Sequence, residues 1–127
     1  MTLRTPLEAC RHRRISQSGE IARFLTALAA RSDDAGCTTL GWSVRGAPIH
    51  ALICRREGDR PKPRVMLVGS HHGGSEPAGG EALLDIARAL LQGDLQDLLD
   101  TLDILIVPDV NPDGRDDDSS RNANSVN

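Results

Sequence analysis

Two stretches of this 127-residue chain are rich in side chains that a hydrophobic core does not require. The first reads Ser70-His71-His72-Gly73-Gly74-Ser75-Glu76-Pro77-Ala78-Gly79-Gly80, and the second Pro108-Asp109-Val110-Asn111-Pro112-Asp113-Gly114-Arg115. Zinc favours imidazole nitrogen and carboxylate oxygen, and a catalytic zinc site keeps three protein ligands and one open position. His71, His72 and Glu76 are therefore the metal candidates, and the glycines beside them let the backbone fold tightly around an ion. The same residues also read as a Gly-rich turn with exposed histidines, and composition alone leaves both readings open.

Other chemistries fall away. Gly41-Trp42-Ser43-Val44-Arg45-Gly46 places its last glycine one residue too late for a nucleophile elbow and leads into a strand rather than a helix. No phosphate loop of the GxxxxGK[ST] type is present. His50 alternates with apolar residues in a strand and reads as structural, and His12 lies in a polar tail. Cys10, Cys37 and Cys54 are odd in number and lack CxxC spacing, which fits free thiols in a reducing compartment better than a disulfide framework or a cysteine zinc site. The opening MTLRTPLEACRHRR has no apolar core like that of a secretory signal, and no window holds the roughly 18 apolar residues of a membrane helix. The expectation is a cytoplasmic protein with no membrane partner. A formal net charge of -3 argues against nucleic acid as a partner. The basic run Arg11-His12-Arg13-Arg14 and the acidic run Asp116-Asp117-Asp118 read as solvated surface.

The elements that must position the two stretches follow from periodicity. Residues 1–15 read as a polar, irregular tail, and 16–127 as the folded part. Ile21, Phe24, Leu25 and Leu28 recur at helical spacing from Ser18 to about Ala30, with Ser16 or Ser18 able to cap the start. Strands at about Cys37–Val44 and Pro48–Arg55 flank Arg45-Gly46-Ala47 and predict a hairpin. Arg64–Gly69 is a continuous apolar run, as in a strand buried on both faces. Ala82, Leu83, Ile86, Ala87, Leu90 and Leu91 predict one apolar stripe on a helix over about Ala78–Leu91. A short helical turn is expected within Leu95–Leu102, then a buried strand at Leu102–Val107, ended by Pro108. Strand, helix, strand is a βαβ unit, whose parallel strands would put both polar stretches on one rim. The expected fold class is α/β, a mixed and partly parallel sheet with helices on its faces. Leu, Ile, Val and Ala must fill the core, since Phe24 and Trp42 are the only large aromatics.

These residues resemble the zinc carboxypeptidase superfamily of metallopeptidases. The run from Val65 to Leu91, containing HHGGSEPAGGEALLDIARALL, is similar to that family's metal-binding segment, where a buried strand leads into His-x-x-Glu and a helix. LDILIVPDVNPDG resembles the family's strand and its N-P-D-G loop, and GWSVRGAPIHAL resembles its opening hairpin. Arg121-Asn122-Ala123-Asn124-Ser125-Val126-Asn127 is similar to the segment that supplies an active-site arginine. Four motifs in order cover about residues 38–127, and 16–127 then reads as the N-terminal portion of such a catalytic domain.

The resemblance implies that His72 and Glu76 bind Zn2+, His72 because a glycine follows it and Glu76 because Pro-Ala-Gly follows it. It implies that Arg121 polarises the scissile carbonyl and steadies the oxyanion, an effect of roughly 3–4 kcal/mol for preorganised donors. Two departures qualify it. Three residues separate His72 from Glu76 where the family has two, so a glycine must bulge outward or His71 must take the ligand position. The sequence also ends at Asn127, where the family continues with an Asn-Arg pair for the substrate carboxylate and, later, a third zinc ligand and a general-base glutamate. The expectation is a truncated metallocarboxypeptidase, inactive as this fragment, whose substrate class is a peptide. The alternatives are an acylated amino acid as substrate, as in the related succinylglutamate desuccinylases and aspartoacylases, and a catalytically dead α/β binding module.

Overall fold

Glycine at the hairpin tip sets the first pairing. Gly46 has φ +80, a conformation that costs glycine little, and the chain reverses there. The computed structural model describes residues 1–127. Its first strand, β1 (Ala35–Trp42), runs antiparallel to β2 (Pro48–Cys54), from Ala35 opposite Cys54 to Trp42 opposite Pro48, with a bulge between Thr39 and Gly41. The βαβ unit follows. Strand β3 (Arg64–Val68) lies parallel to β4 (Asp103–Val107), and β4 also pairs antiparallel with β2. The sheet order is β1-β2-β4-β3, a mixed α/β sheet of the expected kind.

The helices are α1 (Pro6–Ala9), α2 (Ser18–Ala29), α3 (Ala78–Gln92) and α4 (Pro112–Asp116), with a 3-10 turn at Gln96–Asp100. Helix α2 buries Ile21, Phe24, Leu25 and Leu28, and α3 buries Leu83, Leu84, Ala87, Leu90 and Leu91. Both stripes close on Leu52 and Cys54 of β2 and Ile104 and Ile106 of β4, forming one core cluster with Leu99. Leu83, Ile86, Ala87, Leu90 and Leu91 of the predicted stripe turn inward, whereas Ala82 faces solvent and Leu84, outside that stripe, faces the core. Helical spacing alone does not fix which edge of a stripe turns inward. No helix is long and apolar enough to cross a membrane.

Three further expectations about local structure are corrected. The core lies on one face of the sheet, and β3 is an edge strand. Met66 and Val68 point away from the helices and are 56% and 40% exposed, so this apolar run is not buried on both faces. Residues 1–15 are docked rather than irregular. Thr5 and Glu8 form a capping box around α1, with Pro6 at its first turn. Glu8 then pairs with Arg88 of α3 at 2.6 Å, and Leu3 N–H donates to Gln92 Oε1 at 3.0 Å. The Arg88 guanidinium holds the Glu8 carboxyl below its ordinary range. The start of α2 is capped at Gln17, whose N–H donates to Glu20 Oε2 at 2.9 Å, rather than by Ser16 or Ser18. Those two serines reach outward instead: Ser16 Oγ donates to Glu81 at 2.8 Å and Ser18 N–H to Asp116 at 2.8 Å.

Candidate metal centre

Val68 and Val107 sit side by side where β3 and β4 end, so the two polar stretches leave the sheet at the same rim. The first loop curls back at once. Ser70 and Gly73 both have positive φ, at 58 and 51, and Gly73 N–H donates to Ser70 O at 3.0 Å. Gly74 N–H donates to Gly114 O at 3.2 Å, and Asn111 Nδ2 donates to His71 O at 3.3 Å, so the two loops are stitched together. Both glycines are obligatory by contact. A Cβ on Gly73 would lie 2.5 Å from the Gly114 carbonyl carbon, and one on Gly74 would lie 2.7 Å from Asp118 Cα.

This tucked turn brings His72 Nδ1 within 3.0 Å of Glu76 Oε2. Two donors bound at about 2.0–2.1 Å to one tetrahedral zinc ion sit roughly 3.3 Å apart, so this pair fits two corners of a zinc site. Within the three-residue spacing, Gly73 and Gly74 are tucked inward beneath the 114–119 segment rather than bulging outward, while His72 and Glu76 face out. Their side chains are 48% and 72% exposed, open to an ion and to solvent. His71 is exposed and lends its carbonyl to Asn111. No group of three His, Cys, Asp or Glu side chains converges anywhere in the chain, whereas a catalytic zinc site takes three protein ligands.

Arg121 is exposed and follows directly on the same rim. Its N–H donates to Ser119 Oγ at 3.1 Å and its guanidinium to Ser125 O at 3.3 Å. Its carbonyl lies over Gly114, where a Cβ would come within 2.5 Å. The acidic run beside it is engaged elsewhere: Asp117 pairs with Arg45 at 2.7 Å and Asp116 with Ser18. His50 sits half-buried in β2, with its Nδ1 3.3 Å from Thr39 Oγ1, in keeping with a structural role.

The residues that sequence reasoning missed lie under the loops. Arg115 is fully buried and donates to Ser16 O at 2.8 Å, Glu81 Oε1 at 3.3 Å and Ser70 Oγ at 2.5 Å. Its Nε is 3.6 Å from Asp109 Oδ2, an ion pair too long for a hydrogen bond. Both Asp109 oxygens are buried without a hydrogen-bond partner. Burial therefore pushes the Asp109 carboxyl up to about 6, against the opposing pull of Arg115. Asp113 is buried too, accepting from Ser43 Oγ at 2.8 Å and Arg45 N–H at 3.2 Å, which clasps the hairpin tip to the second loop. Asn111 Oδ1 accepts from Gly114 N–H at 3.0 Å and caps α4, with Pro112 at its first position. An Asn-Pro pair is a readable helix-start signal, whereas nothing local announces that Arg115 turns inward.

The chain is similar to carboxypeptidase E of Caenorhabditis elegans, 37% identical over 84 residues, which cover 59% of this chain and 18% of that protein. It is similar to carboxypeptidase SOL1 of Arabidopsis thaliana, 32% identical over 95 residues, or 69% of this chain and 19% of that protein. The chain thus spans less than a fifth of the length of these curated relatives. Among solved structures it matches carboxypeptidase A from Helicoverpa armigera with a TM-score of 0.75 at 25% identity, covering 85% of this chain and 29% of that one. It matches a metallo-carboxypeptidase from Burkholderia cenocepacia with a TM-score of 0.71 at 27% identity, covering 86% of this chain and 31% of that one. The model of the zinc carboxypeptidase family matches residues 21–125, a span that takes in both loops and the Arg121 segment, and the chain belongs to that family.

Proposed function

We propose that His72 and Glu76 are two zinc ligands, and Arg121 the carbonyl-facing arginine, of a metallocarboxypeptidase that hydrolyses a C-terminal peptide bond. The observation that carries this reading is the 3.0 Å approach of an imidazole nitrogen to a carboxylate oxygen on the rim where two parallel strands end. Zinc, when bound, supplies Lewis acidity toward an amide carbonyl and a nucleophilic water near neutral pH. His72 offers the ion its Nδ1, the nitrogen turned toward Glu76. Gly73 and Gly74 hold the two side chains in that relation by fixing the turn between them. Arg121 spends one donor on Ser125 O, which leaves the rest of a permanently charged fork free for a developing oxyanion. The curated relatives' names, both carboxypeptidases, support a peptide as the substrate.

Zinc titration against a chromophoric chelator tests the ligand assignment. His72→Ala and Glu76→Ala are each expected to weaken zinc binding by more than about tenfold. His71→Ala is expected to leave it unchanged. Loss of binding in His71→Ala, with His72→Ala unaffected, would overturn the assignment. Because two ligands converge rather than three, the chain by itself is expected to bind zinc weakly and to release little C-terminal amino acid from a peptide substrate.

A further inference from the structure

At the opposite end of β3 and β4 from the metal loop, five cationic side chains fall within ten residues: Arg55, Arg56, Arg60, Lys62 and Arg64. They line a cleft of about 350 Å³ together with Gly58, Asp59, Pro61 and Asp103, and no aromatic or branched aliphatic side chain enters it. Five cations against the two carboxylates leave three net positive charges in the lining. Asp34 and Asp100 lie outside the lining and pair with Arg56, at 2.9 and 2.8 Å, which brings the sum down to one net positive charge.

The five cations divide into two kinds. Arg56 and Lys62 are framework. Arg56 bridges Asp34 and Asp100, and Lys62 Nζ donates to Arg56 O and to Leu99 O, the latter at 2.6 Å. Those bonds pin the 55–62 loop to the sheet and to the 3-10 turn. Arg55, Arg60 and Arg64 are exposed, and among them only Arg55 has a counter-charge, Asp103 at 3.7 Å. Arg55 and Arg60 on the braced loop and Arg64 at the start of β3 therefore present three guanidinium groups with most of their donors unspent. Planar, permanently charged forks match phosphate oxygens in pairs. A concave wall without apolar side chains has nothing to offer a hydrophobic body.

We infer that this cleft is a binding site for a compact, multiply charged oxyanion of the diphosphate class, held by Arg55, Arg60 and Arg64. The site is separate from the metal centre, since β3 runs its full length between Arg64 and the residues that lead into His72. Binding weakens as salt rises, because the three arginines are open to solvent.

Calorimetric titration of the zinc-free chain with sodium pyrophosphate tests this, with sulfate and adenosine diphosphate as parallel ligands at matched ionic strength. The expected result is saturable one-to-one binding of pyrophosphate, weaker for sulfate, and no tighter for the nucleotide. Arg60→Ala/Arg64→Ala is expected to weaken it by at least about tenfold. The single variant Arg60→Gln serves should the double variant misfold, and is expected to weaken binding measurably at an unchanged unfolding midpoint. His72→Ala/Glu76→Ala is expected to leave it unchanged, which separates this site from the zinc reading. An absence of saturable heat, equal affinity in the arginine variants, or nucleotide binding tenfold tighter than pyrophosphate overturns the inference.

Discussion

Arg115 Nη2 donates to Ser70 Oγ at 2.5 Å, so the residue that closes the N-P-D-G loop also holds the residue that opens the loop bearing His72 and Glu76. The same guanidinium satisfies Glu81 and the Ser16 carbonyl, and Glu81 in turn accepts from Ser16 N–H at 2.7 Å. One buried cation thereby joins α2's entry, α3's first turn and both rim loops. Removing one partner of a buried pair leaves the others charged and unpaired, which costs far more than the pair contributes in net terms. Arg115→Met is expected to destabilise the chain by about 3–5 kcal/mol, read from urea unfolding. A loss below about 1 kcal/mol would show that water reaches Glu81 and Asp109.

Asp109 makes stability depend on pH in a definite direction. Its folded carboxyl titrates at about 6 against an ordinary 3.8, so the folded state holds the proton more tightly than the unfolded one. The resulting stabilisation is fully present below pH 3.8 and is lost as pH rises through about 6. The loss is at most about 3 kcal/mol, since each tenfold difference in proton affinity between the two states corresponds to about 1.4 kcal/mol. Unfolding midpoints measured across that window should fall with rising pH on this account, and Asp109→Asn should flatten that part of the profile.

Glycines separate into those the fold demands and those it tolerates. Gly73→Ala would place a side chain against the Gly114 backbone at a positive φ, and is expected to cost about 1–3 kcal/mol and weaken zinc uptake. Gly79 lies in the first turn of α3 with nothing near its Cβ direction. Gly79→Ala is expected to stabilise the chain by about 0.5–1 kcal/mol by restricting the unfolded state. Thermal unfolding of both variants checks the contrast.

The one-sided core makes opposite predictions for two apolar residues of similar size. Leu84 is fully buried, and Leu84→Ala is expected to cost about 2–5 kcal/mol in transfer and cavity terms. Met66 is 56% exposed on the far face of the sheet, and Met66→Ala is expected to change stability by less than about 0.5 kcal/mol. Comparable losses in denaturant titrations would mean that both faces of the sheet are covered.

Much of the scaffold is legible in the residues. Gly46 announces the hairpin, the 78–91 stripe announces α3, and the strand-helix-strand order announces parallel strands with a common rim. His72 and Glu76 stand out in the sequence as candidate donors, and the structure brings their side chains within 3.0 Å of each other. What stays hidden depends on long-range pairing. VMLV reads the same at a sheet's edge as at its centre, so only the strand order reveals that Met66 and Val68 look outward. The Glu8–Arg88 pair joins residues 80 positions apart, which no local pattern encodes. Arg115 reads like one more surface charge, because its burial depends on Glu81 and Ser70 arriving from other parts of the chain.

The clasp between Asp113 and the hairpin tip, through Ser43 Oγ and Arg45 N–H, alters what a change at that tip means. Surface connections between strands usually accept lengthening or replacement with little effect elsewhere. Here the reversal at Gly46 is a strut for the distant N-P-D-G loop, so grafting a foreign turn onto it would loosen the platform on which Arg121 stands.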